Sequence, residues 1–285
     1  MAVFLTVSTK GGAGKSSVSQ QVLATYNLKK HDASNLIELD DENLDSAYLN
    51  KSQIAAEQIM LGDDPDDYSQ AVASAFPLDS KHRVVDVGGN RTASIVIKEL
   101  SRLNSRAEQV DAIAVPISDN RMGVANAEKT LDDIRSSSNG EMMLAKCFIV
   151  LNRVRNKRVT GIDDPALARR FRNAINMIKR WKLPVVIVHD LDGVENLAPL
   201  GMTVYEVSEI RNQLITQLNA DMKKAMKESN EKDMVTVDDL QWAVNVAADD
   251  FMPLITRSHE QLDKVLETIK KRVAALEKAA NTEEV

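Results

Sequence analysis

The chain has 285 residues, 44% of them hydrophobic and 27% charged, with a formal net charge of −6. That is enough apolar material for one large α/β domain or two smaller ones, and the acidic balance excludes a protein that coats nucleic acid over its whole surface while leaving room for one basic face. A single cysteine excludes an intrachain disulfide framework and fits a reducing cytosol, no apolar run approaches the roughly 18 residues of a membrane span, and the N-terminus lacks the basic region and long apolar run of a signal peptide.

Residues 3–7, Val-Phe-Leu-Thr-Val, read as a buried strand. Residues 8–17, Ser-Thr-Lys-Gly-Gly-Ala-Gly-Lys-Ser-Ser, follow, and then Val18, Val22, Leu23 and Tyr26 recur at roughly helical spacing. Strand, glycine loop and helix in that order make a phosphate cradle. Glycines let the backbone turn tightly and aim several N–H groups at one anion, and the helix N-terminus adds partial positive charge. Lys15 is placed to reach the β- and γ-phosphates of a nucleotide, and the Ser16 hydroxyl to reach Mg²⁺. The first glycine of the general pattern falls on Thr9, and the loop carries Lys10 ahead of Gly11 and Gly12. The plainer alternative is a glycine-rich turn with two solvated lysines.

The order Lys-Gly-Gly-x-Gly-Lys-Ser resembles the deviant Walker A loop of the ParA/MinD family of dimerising ATPases. The resemblance implies nucleotide contact along the whole loop, through Lys10, Gly11, Gly12, Ala13, Gly14, Lys15, Ser16 and Ser17. It also implies that Lys10 crosses a dimer interface to the phosphates of the partner's nucleotide, so that Lys10 and Lys15 are both catalytic.

Residues 35–40 form a second short strand ending in acids: Asp40, Asp41, Glu42 and then Asp45. In the resembled family the second aspartate of this strand end lies near the attacking water and Mg²⁺, and Asp40 takes that place. Glu38 stands where an aspartate is usual. Asp41, Glu42 and Asp45 read as a solvated acidic loop. Residues 46–80 read as helical and then irregular, with Ile54, Ala55, Ile59 and Met60 on one face and a break at residues 62–67, Gly-Asp-Asp-Pro-Asp-Asp.

Residues 83–90 carry an apolar strand into Asp86, Gly88, Gly89 and Asn90, the form of a Walker B site. There a carboxylate holds Mg²⁺ and glycine lets the backbone pass near the γ-phosphate. A helix over residues 95–103, a strand over 110–116, a helix over 119–134 and a strand over 146–152 follow. Cys147 reads as a core thiol. Asn152 ends its strand where the resembled family has an asparagine on the adenine base, and a simple turn asparagine is the other reading.

Residues 153–182 hold ten arginines and lysines against Asp163 and Asp164. A helix over residues 166–181 would turn Leu167, Phe171, Ala174, Ile175 and Ile178 inward and Arg169, Arg170, Arg172 and Arg180 outward. With Arg153, Arg155, Lys157, Arg158 and Lys179 these make a candidate stripe for DNA phosphates without base reading. A solvated helix face, stacking on the nucleotide, or a dimer interface are the other readings. Residues 183–188 form the last strand, placing His189 near a base or ribose.

The remaining residues read as helical: a stripe at Ile210, Leu214, Leu218, Met222 and Met226, a capping box at Thr236–Asp239 with Val235 stapled to Leu240, a kink at Pro253, and a last helix with a seam at Leu262, Leu266, Ile269, Val273 and Leu276. That seam could pack on the domain, on a second subunit or on a partner. The acidic tail and lack of large aromatics there argue against a membrane anchor.

These elements predict a doubly wound, mostly parallel α/β sheet over residues 1–205 and a helical extension over 206–285. The resemblance implies a short ParA-like ATPase without its own operator-reading module, using ATP and Mg²⁺ with Ser16, Asp40 and Asp86 at the metal. It implies an ATP-dependent sandwich homodimer that binds DNA non-specifically, with a ParB-like or adaptor protein stimulating hydrolysis, in the bacterial cytosol at the nucleoid. A relative that positions another cargo, a MinD-like membrane-cycling regulator and a dethiobiotin synthetase-like metabolic enzyme are the alternatives.

Overall fold

The computed structural model describes residues 2–9, 12–40, 46–62, 64–89, 91–118 and 121–283. Seven strands form one parallel sheet: β1 (Val3–Thr6), β2 (Asn35–Leu39), β3 (Ala55–Ile59), β4 (Arg83–Val87), β5 (Ala112–Ile117), β6 (Cys147–Val154) and β7 (Val185–His189). Their order is β3-β2-β4-β1-β5-β6-β7. The strand that feeds the glycine loop is therefore central, with β4 on one side and β5 on the other. The near-continuous apolar composition of β1, β4 and β5 follows from this, since a parallel sheet covered on both faces buries every side chain.

One face packs Val3, Leu5, Val85 and Val115 against helices Pro65–Ala75, Arg91–Arg102, Arg121–Arg135 and Arg172–Trp181. The other packs Phe4, Leu36, Val84 and Phe148 against two helical rods. The first rod runs Lys15–Val18, a π-helical Ser19–Ala24 and Thr25–His31 in unbroken succession. The second is Met252–Glu283, which seats Leu262, Val265 and Ile269 on the sheet. The seam of the last helix is thus used within the domain. A third cluster, from Leu191 to Ile255, fills the layer built by helices Val204–Glu209, Arg211–Lys227 and Glu231–Val246.

Five local expectations are revised. Residues 55–59 are not helical: they are the exposed edge strand β3, in register with β2 from Asn35 opposite Ala55 to Leu39 opposite Ile59. The open edge of β2 decides this over an indifferent local sequence. The break at residues 62–67 is in its second half a helix start, where Asp64 and Asp67 form a capping box around Pro65. The basic helix over 166–181 is two helices, Pro165–Arg170 and Arg172–Trp181, because the chain turns at Phe171 to put its ring in the core. Thr236 lies inside helix Glu231–Val246, where its hydroxyl donates to the Lys232 carbonyl (3.0 Å). The true N-cap there is Asn230, and Val235 is exposed. Pro253 is the second residue of Met252–Glu283, directly after a π-helical turn, Ala247–Phe251, whose wider ladder accommodates the missing N–H.

Candidate nucleotide site

The carboxyl end of β1 opens the site. Thr9 stands in place of the usual first glycine and is fixed: its N–H donates to Thr130 Oγ1 (3.1 Å) and its hydroxyl to the Asn126 carbonyl (3.1 Å). Lys10 and Gly11 lie outside the described residues. The loop resumes at Gly12 with φ +83° and reaches Gly14 with φ +75°, both in the left-handed region that favours glycine. Ala13 lies between them, buried. Gly14 is the N-cap of the first rod and offers no side-chain cap. The rod therefore starts directly from the loop, and the partial positive charge of a helix N-terminus favours an anion at such a position.

Asn152, at the carboxyl end of β6, closes the loop from the other side. Its buried carboxamide donates to the carbonyls of Ala13 (3.1 Å) and Gly14 (3.3 Å), while its Oδ1 accepts from Arg153 N–H (2.9 Å). A Cβ on Gly14 would stand 2.1 Å from Asn152 Nδ2. In this structure the Asn152 side chain holds the glycine loop.

The acidic positions converge next to the loop. Asp86 is buried on β4, in register with Thr6 on one side and Glu38 on the other. Asp40 extends β2, and its carboxylate lies against Gly88: a Cβ there would be 3.0 Å from Asp40 Cγ. The Gly88 N–H donates to the Leu39 carbonyl (2.7 Å), which brings the two segments together. A side chain on residue 88 would require the Asp40 carboxylate to shift by a few tenths of an ångström. Asp41, Glu42, Asp45 and Asn90 lie outside the described residues. The two carboxylates and the Ser16 hydroxyl are hard-oxygen donors, the chemistry that suits Mg²⁺. Among the described residues no cluster of three or more His, Cys, Asp or Glu could hold a metal by itself.

Glu38 has a different task. It is buried, and its carboxylate accepts from Ser46 N–H (3.3 Å) and hydroxyl (2.8 Å) and from Gln20 Nε2 (3.5 Å). Tyr48 joins Gln20 to Gln21, and Gln21 Oε1 accepts from Val204 N–H (3.0 Å). Glu206 accepts from Ser52 and from the Gln53 N–H while completing a capping box with Thr203. This polar network ties the loop after the acidic segment to the first rod and to the helical layer. Two adjacent glutamines in the middle of the first rod, and Thr203 three before Glu206, were its traces in sequence.

The basic residues separate in space. The Arg153 guanidinium borders the loop, its Nε 3.9 Å from a Cβ placed on Gly14. Arg155 pairs with Asp190 and Lys157 with Asp250, each at 3.8 Å and solvent-exposed. Arg158, Arg169 and Arg172 are exposed. Arg170 lines a small cavity with Ser118, Arg121 and Phe171, and Lys179 lines a groove with Thr160, Lys182 and Lys264. Arg180 pairs with Glu128. His189 is buried with Nε2 3.0 Å from the Val159 carbonyl, and burial holds its pKa below the usual imidazole value.

A parallel doubly wound sheet with a glycine loop between its central strand and a helix, and an acidic strand end beside it, has the fold of the P-loop nucleoside triphosphatases. Solved structures with this fold include the MinD cell division protein of Aquifex aeolicus, with 13% identity and a TM-score of 0.50 over 85% of this chain and 95% of that one. An ATP complex of McdA from Cyanothece is 14% identical, with a TM-score of 0.48 over 73% of this chain and 90% of that one. At these identities the likeness is one of fold. No protein-family model matches the chain, and no curated protein matches its sequence.

Proposed function

We propose that the protein is an ATP-dependent dimerising ATPase of the ParA/MinD kind, which binds DNA non-specifically and positions plasmid or chromosomal DNA with a partner protein. The observation that carries the ATPase reading is the cradle itself. Gly12 and Gly14 hold left-handed backbone at the carboxyl end of the central strand, Gly14 opens the first helical rod, Asn152 clamps the loop, and Asp40 lies against Gly88 on the neighbouring strand end.

In this reading Lys15 and the first-turn amides bind the β- and γ-phosphates and offset charge that builds on them. Ser16 and Asp86 hold Mg²⁺, with Asp40 close by, and Mg²⁺ when bound supplies positive charge to the phosphate oxygens. The Asp40 carboxylate, fixed against Gly88, orients the attacking water. Lys10 reaches the partner's nucleotide and makes the dimer conditional on ATP. Arg158, Arg169, Arg172 and Lys179 present exposed cations to DNA phosphates. The weak surface pairs of Arg155 and Lys157 are easily exchanged for such contacts. A ParB-like or adaptor protein stimulates hydrolysis and releases the DNA, in the bacterial cytosol at the nucleoid.

Membrane cycling is disfavoured, because the last helix spends Leu262 and Ile269 on its own sheet. Among the described residues no helix is long and apolar enough to cross a membrane. The test is ATP-dependent dimerisation and DNA retention on the parent, on Lys10→Ala and on the double Ala variant of Arg169 and Arg172. Lys10→Ala is expected to keep ATP binding and lose the dimer. The double variant is expected to dimerise and lose DNA. ATP-dependent dimerisation of Lys10→Ala like the parent's would overturn the role in trans.

A further inference from the structure

Six large apolar side chains are exposed among the described residues, and three of them, Met226, Val235 and Trp242, lie on one helical hairpin made by Arg211–Lys227 and Glu231–Val246. The two helices are held side by side by Gln241 to Asn219 (3.1 Å) and by Arg211 to Asn245 and Asp249. These pairings set Met226 level with Val235. Helix Glu231–Val246 buries Val237, Ala243 and Val244 against the third core cluster. Val235 and Trp242, seven residues apart and so on one stripe about 10 Å long, face the opposite way and are 61% and 57% exposed. A helix apolar on two sides is built to be covered on two sides, and here one side is covered.

The stripe has a sign. Asp238 and Asp239 lie between the two apolar anchors, both exposed, and no ion-pair partner holds either among the described residues. Asp249, about two turns beyond Trp242, is the acid that Arg211 neutralises. Lys232 stands at the near end. A second copy packed stripe on stripe would set Asp238 and Asp239 against their own counterparts, and DNA phosphates seated between the two anchors would meet the same acids, while Lys223, Lys224 and Lys227 are exposed around Met226 on the neighbouring helix.

We infer that the outer face of this hairpin is a docking surface for an amphipathic helical segment of a partner protein, which seats apolar side chains on Trp242 and Val235 and lysines or arginines on Asp238 and Asp239. Tryptophan is among the side chains that most often anchor interfaces, and an amphipathic helix docks through apolar side chains at helical spacing. The surface is made by the helical layer alone and uses no group of the nucleotide site.

The probes are two labelled 18-residue helical peptides of one amphipathic pattern, Leu/Lys and Leu/Glu, titrated by fluorescence anisotropy onto the nucleotide-free protein. The Leu/Lys peptide is expected to bind the parent and to bind Trp242→Ala, or the pair Asp238→Asn and Asp239→Asn, at least tenfold more weakly. The Leu/Glu peptide is expected not to bind. The remote pair Glu57→Gln and Glu141→Gln makes the same change in net charge and is expected to leave binding unchanged. Equal affinity for Trp242→Ala, equal loss with the remote pair, or sedimentation showing a nucleotide-free dimer that Trp242→Ala disrupts would each overturn the inference. None of these outcomes touches the ATPase reading, because no nucleotide is present.

Discussion

The Asn152 carboxamide occupies the space that a side chain on residue 14 would need, 2.1 Å from where a Cβ would stand. Loop and clamp therefore fit as a pair. Gly14→Ala places alanine at φ +75°, which costs about 1–2 kcal/mol of backbone strain, and drives its methyl into Asn152. Nucleotide affinity, measured by calorimetry, is expected to fall at least tenfold. Adding Asn152→Ala removes the collision, so the double variant should lose less than the sum of the two single losses. Additive losses would show that the clamp and the glycine act independently.

Asp40 and Gly88 give a second pair. Asp40→Asn keeps the shape and removes the charge, and is expected to leave ATP binding within a few-fold while lowering single-turnover hydrolysis about 100-fold or more. Gly88→Ala pushes against the same carboxylate from 3.0 Å and should impair hydrolysis more than binding. Unchanged turnover in Asp40→Asn would remove it from the reaction.

His259, on the last helix, is buried against the first rod. Its Nε2 lies 3.0 Å from the Val22 carbonyl and 3.2 Å from Thr25 Oγ1. Burial lowers its pKa to about 4. The unfolded imidazole takes up a proton near pH 6.5 and the folded one only near its lowered value, so between them the unfolded state binds more protons. Stability is complete above the unfolded pKa and falls as pH drops through that window, by roughly 3 kcal/mol in total. His259→Gln should flatten the dependence of Tm on pH over this range. A variant that melts with the parent's pH profile would assign the titration elsewhere.

Cys147 is fully buried, with its Sγ donating to the Met143 carbonyl (3.3 Å) and its pKa pushed up to about 12 by burial. The thiol should resist a disulfide reagent in the native protein and react at once in denaturant. Rapid native labelling would contradict this burial.

What the sequence disclosed divides along physical lines. The glycine loop, β1, β4 and β7 were legible because glycine spacing and buried β-branched runs are local signals. β3 was not, because residues 55–59, Ala-Ala-Glu-Gln-Ile, owe their extended form to the free edge of β2. Thr236 imitated a cap that Asn230 supplies, since capping chemistry recurs by chance along a polar helix. The seam from Leu262 to Val273 announced a partner surface without naming it, and only the fold shows the sheet beneath. The clamp by Asn152 and the network from Glu38 to Glu206 depend on contacts between distant segments, which no local pattern encodes.

The sheet face over Phe4, Leu36 and Val84 is roofed in part by Leu262 and Ile269. On the ribosome that face is made first and its cover last, so the nascent chain carries an open apolar wall through most of its synthesis. Its final closure is a long-range event, slow by topology. Exposed apolar surface of that kind associates with other chains until it is covered.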